Sequence, residues 1–391
     1  MRRPRFGVNQ GTDVVAASIR FAEVRAWLFD RALPLWSTAG LDHMNGGAVE
    51  ALDFSGRDAA LPFKRTRVQA RQVYAFTHAE LLGWDGGAAA DHCWAFLATH
   101  GRRDDGAWVR NLGREGGVHD GAADAYDMAF VLLALAWRAR AGRPGARSEA
   151  HATFDALDRL LRIAPGLGWR AAEDNPILSL NPHMHLLEAT VELAEACADE
   201  RAADIALDIL DLFADRLFDR GLGVLPEDFE AGWAPVVGAK SRLWPGHHYE
   251  WAWILHRARD VLGVDHTAQA KALYDFAEKT VDPLTRLTDD ALTGDELRPS
   301  RTFRSWPQTE ALKGQLVMFE HHGLDTRARI AEITNQLLDH YLAVDLAGGW
   351  QDQFDGHMKP LAPNIPTSIL YHLMLAFTEL LRLEHRLSAA D

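Results

Sequence analysis

Apolar side chains recur every three to four residues in one segment after another along this chain, and few stretches alternate as strands do. AYDMAFVLLALAWRARA from Ala125 and HMHLLEATVELAEACA from His183 show the pattern plainly. The spacing predicts helices over 14–34, 65–82, 88–100, 123–141, 147–163, 183–199, 201–218, 246–262, 265–281, 307–323, 325–344 and 366–387. The breaks between them are of two kinds. Some are short, as around Asp199 and Gly323, whereas 101–122, 164–182, 219–245, 282–306 and 345–365 are long and rich in Gly, Pro and Trp. Short turns join antiparallel neighbours, and long loops mount binding residues on a rigid scaffold, so the long loops are expected to gather at one end.

Residues with chemistry to offer keep the same beat. Arg71, Tyr126, His185, His247, Gln308 and His372 follow one another at separations of 55, 59, 62, 61 and 64. A repeat near sixty is one helical hairpin plus its loop. Six such hairpins, with polar residues near the start of every second helix, describe an all-α fold: a closed (α/α)6 barrel whose inner helices point their N-termini into one cavity. The expectation is a single domain over 1–391.

Composition narrows the partners. Hydrophobic content of 48% with 25% charged residues fits a globular chain with a large core. A formal charge of −14 argues against nucleic acid or an anionic membrane surface, which require a basic face. No run reaches the roughly 20 apolar residues of a membrane span. Two cysteines, Cys93 and Cys197, make no disulfide framework, and MRRPRFGVNQ is followed by no apolar leader segment. The expected location is cytoplasmic.

WPGHHYEWAWIL, from Trp244, places His247 and Glu250 at i and i+3 just after a Pro-Gly step that marks a helix start, with His248 pointing elsewhere. A carboxylate at i+3 can orient an imidazole, either as a structural pair or in acid–base work. NPHMHLLEA repeats the spacing with His185 and Glu188, while His183 projects from another part of the turn as a packing or capping residue or a binding one. His372, in IPTSILYHLMLAF, is a lone polar side chain on an apolar helix and needs a partner. RSWPQTEALKG adds Trp306, Gln308 and Glu310, an indole face for a sugar ring and groups that hydrogen-bond hydroxyls, unless Pro307 simply opens a helix there. Arg71 and Tyr126 can polarise sugar oxygens, with Arg65 and Arg67 as alternatives to Arg71, and Arg301 and Arg304 are loop cations able to meet an anion. A nitrogen and oxygen metal shell could be assembled from the histidines, yet there is no H-E-x-x-H and no Cys/His cluster. Nor is there a phosphate loop or dinucleotide fingerprint. The reading is no metal and no cofactor.

Taken together, WPGHHYEWAWIL, NPHMHLLEA, RSWPQTEALKG, QARQVYAF and LYHLML resemble the N-acylglucosamine 2-epimerase superfamily, over about residues 60 to 385. The family includes mannose isomerases, sulfoquinovose isomerases, mannose 2-epimerases and cellobiose 2-epimerases on an (α/α)6 barrel. The resemblance implies acid–base histidines at His247 and His372, a third active-site histidine at His185, a helical carboxylate at Glu250, a sugar-contacting Arg71 and the family tyrosine at Tyr126. GHHYEWAW, WPQTEA and GGWQDQFD are most similar to the mannose isomerase branch, while PNIPTSILYH departs from its usual wording. The implied reaction is isomerisation of a free hexose, D-mannose to D-fructose, through a cis-enediolate, with Glu250 holding His247. Reprotonation at C2 instead would make a 2-epimerase. A glycosidase on the same fold and a non-catalytic sugar-binding protein are the competing readings. A monomer or a homodimer is expected, the latter through outer helices by analogy with the family.

Overall fold

The computed structural model describes residues 18–389 apart from 176. The first four residues of the predicted 14–34 helix, and the MRRPRFGVNQ segment, lie outside the described residues. The helices are α1 (Phe21–Trp27), α2 (Leu33–Trp36), α3 (Thr66–Leu81), α4 (Gly87–His100), α5 (Ala125–Arg140), α6 (Ala146–Leu161), α7 (Leu180–Cys197), α8 (Glu200–Leu212), α9 (Pro245–Leu262), α10 (Thr267–Lys279), α11 (Ser305–His322), α12 (Arg327–Gln336), α13 (Leu370–Arg382) and α14 (Glu384–Ser388). α8 and α12 each run on into a π-helical turn, Phe213–Leu217 and Leu337–Tyr341, which accounts for the longer predicted spans. A π turn at Leu28–Ala32 likewise joins α1 to α2.

The even hairpins close on themselves. α3, α5, α7, α9, α11 and α13 pack in that order, and α13 returns to pack on α3, so these six form an inner ring. α4, α6, α8, α10 and α12 lie outside their inner partners, and α1 packs against α13. Inner helices are buried nearly all round: Val68 to Ala79 of α3 and Pro182 to Ala194 of α7 are enclosed without a break, which an apolar stripe alone does not produce. The outer helices bury one face, as in α8, where Ile205, Ile209 and Leu212 face inward.

Chain reversals sort by end. Inner-to-outer turns are short. Gly263 and Gly323, at φ +75° and +63°, end α9 and α11 in the left-handed conformation that spares a β-carbon. Outer-to-inner connections are long, and neighbouring ones are stitched together. Phe63–Arg65 pairs with Asn111–Gly113, Asp124 bridges Ala172, Leu178–Ser179 pairs with Asp228–Phe229, and Arg242–Leu243 with Leu292–Thr293. Thr302–Arg304 pairs with Gln353–Asp355, and Ala51–Leu52 with Ile365–Pro366, which closes the circle. Every one of these pairings is antiparallel and, apart from the single Asp124–Ala172 bridge, two or three residues long. This collar holds the mouth of the barrel rigid over the inner N-termini. No helix among the described residues is long and apolar enough to cross a membrane.

Candidate active site

Each inner helix sends a side chain to one cavity of about 360 Å³ beneath the collar. α3 contributes Arg71, α5 Tyr126, α7 His185, α9 His247 with Glu250, α11 Trp306 and α13 His372. The sixty-residue beat is thus realised in space, with one change: on α11 the cavity residue is Trp306, not Gln308. Gly246 makes that possible, because a β-carbon there would lie 2.5 Å from the Trp306 ring. The indole packs against both His247 and His372, at ring separations of 5.1 and 5.8 Å.

The three histidines share one arrangement. Nδ1 donates to a buried carboxylate: His185 to Glu188 at 3.0 Å, His247 to Glu227 at 2.8 Å and His372 to Glu310 at 2.8 Å. A carboxylate on Nδ1 fixes the tautomer and leaves Nε2 with its lone pair. Burial lowers His185 to about 4 despite Glu188, and burial with the Arg71 and Lys313 cations holds His372 well below the ordinary imidazole value. Both rings are neutral at pH 7.

Opposite charge is provided nearby. Arg71 donates from Nη2 to the Tyr126 hydroxyl at 2.8 Å and from Nη1 to the Ser368 carbonyl at 3.3 Å, and its guanidinium stacks 4.1 Å from the Phe130 ring centre. Among the described residues no carboxylate pairs with it in hydrogen bonds, and its buried Nε is without a hydrogen-bond partner. Glu250 is 1% exposed and neither carboxyl oxygen is hydrogen-bonded. Burial and the Glu310 carboxylate push it well above the carboxylate range, which favours its protonated, hydrogen-donating form. Behind it, fully buried Lys313 pairs with Glu310 at 2.6 Å. Burial works against that ammonium, but Glu310, Glu250 and Glu188 together keep it protonated. Burial also opposes the charge on Glu188, yet hydrogen bonds from His185 and Tyr371 keep it below the usual range.

Several expectations need correction. Glu250 does not hold His247; Glu227, from the preceding loop, does. Gln308 is no sugar ligand: its amide donates to the Thr288 and Arg304 carbonyls and accepts from the Thr288 N–H. His183 is likewise consumed, accepting from the Trp169 N–H and donating to the Ser179 carbonyl. His248 does the same with Leu225 and Trp244, and Gln69 with both backbone groups of Ala48. A polar residue on the first turn of four inner helices therefore pins the long loop above it. Glu188 and Glu310 brace histidines from behind and do not line the cavity.

Glu227 carried no signal, since PEDFE offers three acids and no periodicity tells which turns inward. Lys313 was within reach, standing at i+3 from Glu310. Asn181, Asp352 and Arg304 also line the cavity, Asp352 accepting from the Ser305 hydroxyl at 2.6 Å. Of the arginine alternatives, Arg65 is paired with Glu50 and Arg67 with Asp127. Among the described residues, His185, Glu188 and Glu250, and Glu250, Glu310 and His372, are close enough to share an ion. Lys313 already supplies a positive charge to Glu310, and Tyr371 donates to both oxygens of Glu188.

A helical barrel with a histidine- and arginine-lined cavity of this kind defines a sugar isomerase/epimerase enzyme. The chain belongs to the N-acylglucosamine 2-epimerase family: the model described as N-acylglucosamine 2-epimerase (GlcNAc 2-epimerase) matches residues 47–376. It is 34% identical over 382 residues to a mannose-6-phosphate isomerase of Rhizobium meliloti (strain 1021), covering 93% of this chain and 97% of that one. It is 29% identical over 367 residues to a D-mannose isomerase of Thermobifida fusca, covering 86% and 88%. The fold is that of cellobiose 2-epimerase from Bacillus thermoamylovorans B4167, with a TM-score of 0.84 at 20% identity over 93% of this chain and 98% of that one.

Proposed function

We propose that the protein is an aldose–ketose isomerase acting on a free hexose, D-mannose to D-fructose. The observation that carries this reading is the set of histidines, each tethered at Nδ1 to a carboxylate and open at Nε2, around a guanidinium with no carboxylate partner among the described residues and a carboxyl whose charge burial disfavours. In the open-chain sugar, Nε2 of His247 or His372 takes the C2 proton. The C2–H electron pair forms the C1–C2 double bond, and the carbonyl electrons move to O1. Arg71 and the Glu250 carboxyl meet the oxygens on which negative charge develops. Transfer of the O2 proton to O1, followed by return of the proton at C1, gives the ketose, and return at C2 on the other face with the O1 charge collapsing to the carbonyl gives the epimer. The relatives described as mannose-6-phosphate isomerase and D-mannose isomerase support the ketose outcome. Hydrolysis requires two carboxylates acting across the scissile bond. Here Glu188, Glu227 and Glu310 brace histidines, Asp352 is tied to Ser305, and burial disfavours charge on Glu250.

A phosphorylated hexose is the second reading, favoured by Arg304, whose nearest carboxylate, Asp290, is 3.8 Å away. The neutral sugar is preferred because Arg65 and Arg67 are already neutralised by Glu50 and Asp127. The test is NMR in heavy water with D-mannose, D-glucose, N-acetylglucosamine and mannose 6-phosphate. Fructose from mannose, with solvent deuterium entering at C1, is expected. Glucose from mannose would make the enzyme an epimerase, turnover of mannose 6-phosphate alone would move the substrate class, and absence of exchange in every sugar would end the proton-transfer reading.

A further inference from the structure

The barrel has a second cavity, of about 320 Å³, where the inner helices end. All six contribute to it, and it shares no lining residue with the first. Each guanidinium there is paired. Arg140 donates to Glu192 and Glu195 at 2.8 and 2.7 Å, and Arg257 donates to the same two carboxylates at 3.0 and 2.9 Å. Across the cavity Arg382 is bonded to Glu320 and Glu379, and Asp260 also lines the space. With every guanidinium matched to carboxylates, the surroundings do not select an anion.

What remains is hydrogen-bonding capacity. In each bond of the Arg140–Glu–Arg257 square the arginine uses only Nη2. His78, which burial keeps neutral at about 3, has its Nδ1 engaged by the Tyr74 hydroxyl and its Nε2 uncommitted. The carboxylates keep spare lone pairs beside these donors. Two indoles, Trp137 and Trp253, line the same space, Trp137 packed on His78 and Trp253 beneath Lys313. Donors and acceptors interleaved over aromatic surface suit a molecule whose every hydroxyl both donates and accepts and whose C–H face is apolar. The volume is at the small end of small-molecule sites.

We propose that this second cavity binds a monosaccharide or polyol. The assignment rests on its own lining and stands apart from the isomerase reading. The test is fluorine NMR of the protein labelled with 5-fluorotryptophan, with Trp137 and Trp253 assigned through Trp137→Phe and Trp253→Phe and titrated with D-mannitol, D-mannose and D-fructose. The Trp137 and Trp253 resonances are expected to shift saturably with at least one of the three. Their half-saturation should change by less than about threefold in Arg71→Ala, while the Trp244 and Trp306 response is weakened. Shifts confined to Trp244 and Trp306, or a Trp137 response that disappears with Arg71→Ala, would overturn the proposal. So would the absence of any shift at Trp137 and Trp253 with all three sugars.

Discussion

His247 on α9 donates from Nδ1 to Glu227, twenty residues upstream, at 2.8 Å, and both side chains are about 4% exposed. The carboxylate that orients this ring thus arrives on the loop pinned by the adjacent His248. Glu227→Gln keeps the shape and removes the charge. Because oriented acid–base groups contribute about 10²- to 10⁴-fold, kcat is expected to fall by about 10²-fold with KM little changed. Steady-state kinetics on a variant with native circular dichroism decides it, and an unaltered kcat would free His247 of any dependence on Glu227.

Glu250 is held above the carboxylate range by burial and by Glu310, so it loses its proton only as the pH rises through that raised value. The carboxylate then appears beside Glu188 and Glu310 and a donor is lost, so activity should decline on the alkaline side. Glu250→Gln does not titrate. It is expected to retain activity within about tenfold at neutral pH, where Glu250→Ala loses about 10²-fold, and to lose the alkaline decline. A pH–rate profile with the same alkaline limb in Glu250→Gln would reject the neutral-acid role.

Gln308 secures the loop over the mouth through three backbone hydrogen bonds. Gln308→Ala leaves buried backbone groups unpaired and should cost about 1–3 kcal/mol in denaturant unfolding. KM is expected to move far less than stability. A large rise in KM at wild-type stability would return Gln308 to the sugar.

Five buried histidines are depressed by burial: His78 to about 3, and His183, His185, His248 and His256 to about 4, from 6.5. Between those values the unfolded chain takes up protons that the folded one refuses. Their contribution to stability is therefore complete above about pH 6.5 and is lost as the pH falls toward 4. A drop in Tm of about 5 °C or more between pH 7 and 4.5 is expected by calorimetry, and a level Tm across that window would contradict it.

The helices were legible because their signals are repeated many times over. α9 was expected from 246 to 262 and runs Pro245–Leu262, with Pro at its first turn and Gly263 just past its end. The collar was not legible, since strands of two or three residues give no alternation to detect. In the site, His185–Glu188 could be read from i, i+3 spacing, whereas His247–Glu227 and His372–Glu310 are tertiary pairings. Gln308 and His183 stand at the right beat but turn toward the loops, a distinction made by side-chain direction within a single helical turn.

The seam between Ala51–Leu52 and Ile365–Pro366, with α13 against α3, joins stretches about three hundred positions apart. Such non-local closure makes folding slow, because loop entropy is lost before the contacts form. Until residues 365–382 are synthesised, α3 and α11 each lack a neighbour and the cavity lacks the wall that carries His372. A ribosome-bound chain thus holds most of the site in an open crescent, exposing apolar helix faces to chaperones or to aggregation. Appearance of turnover in a translation reaction would time the moment the last inner helix docks.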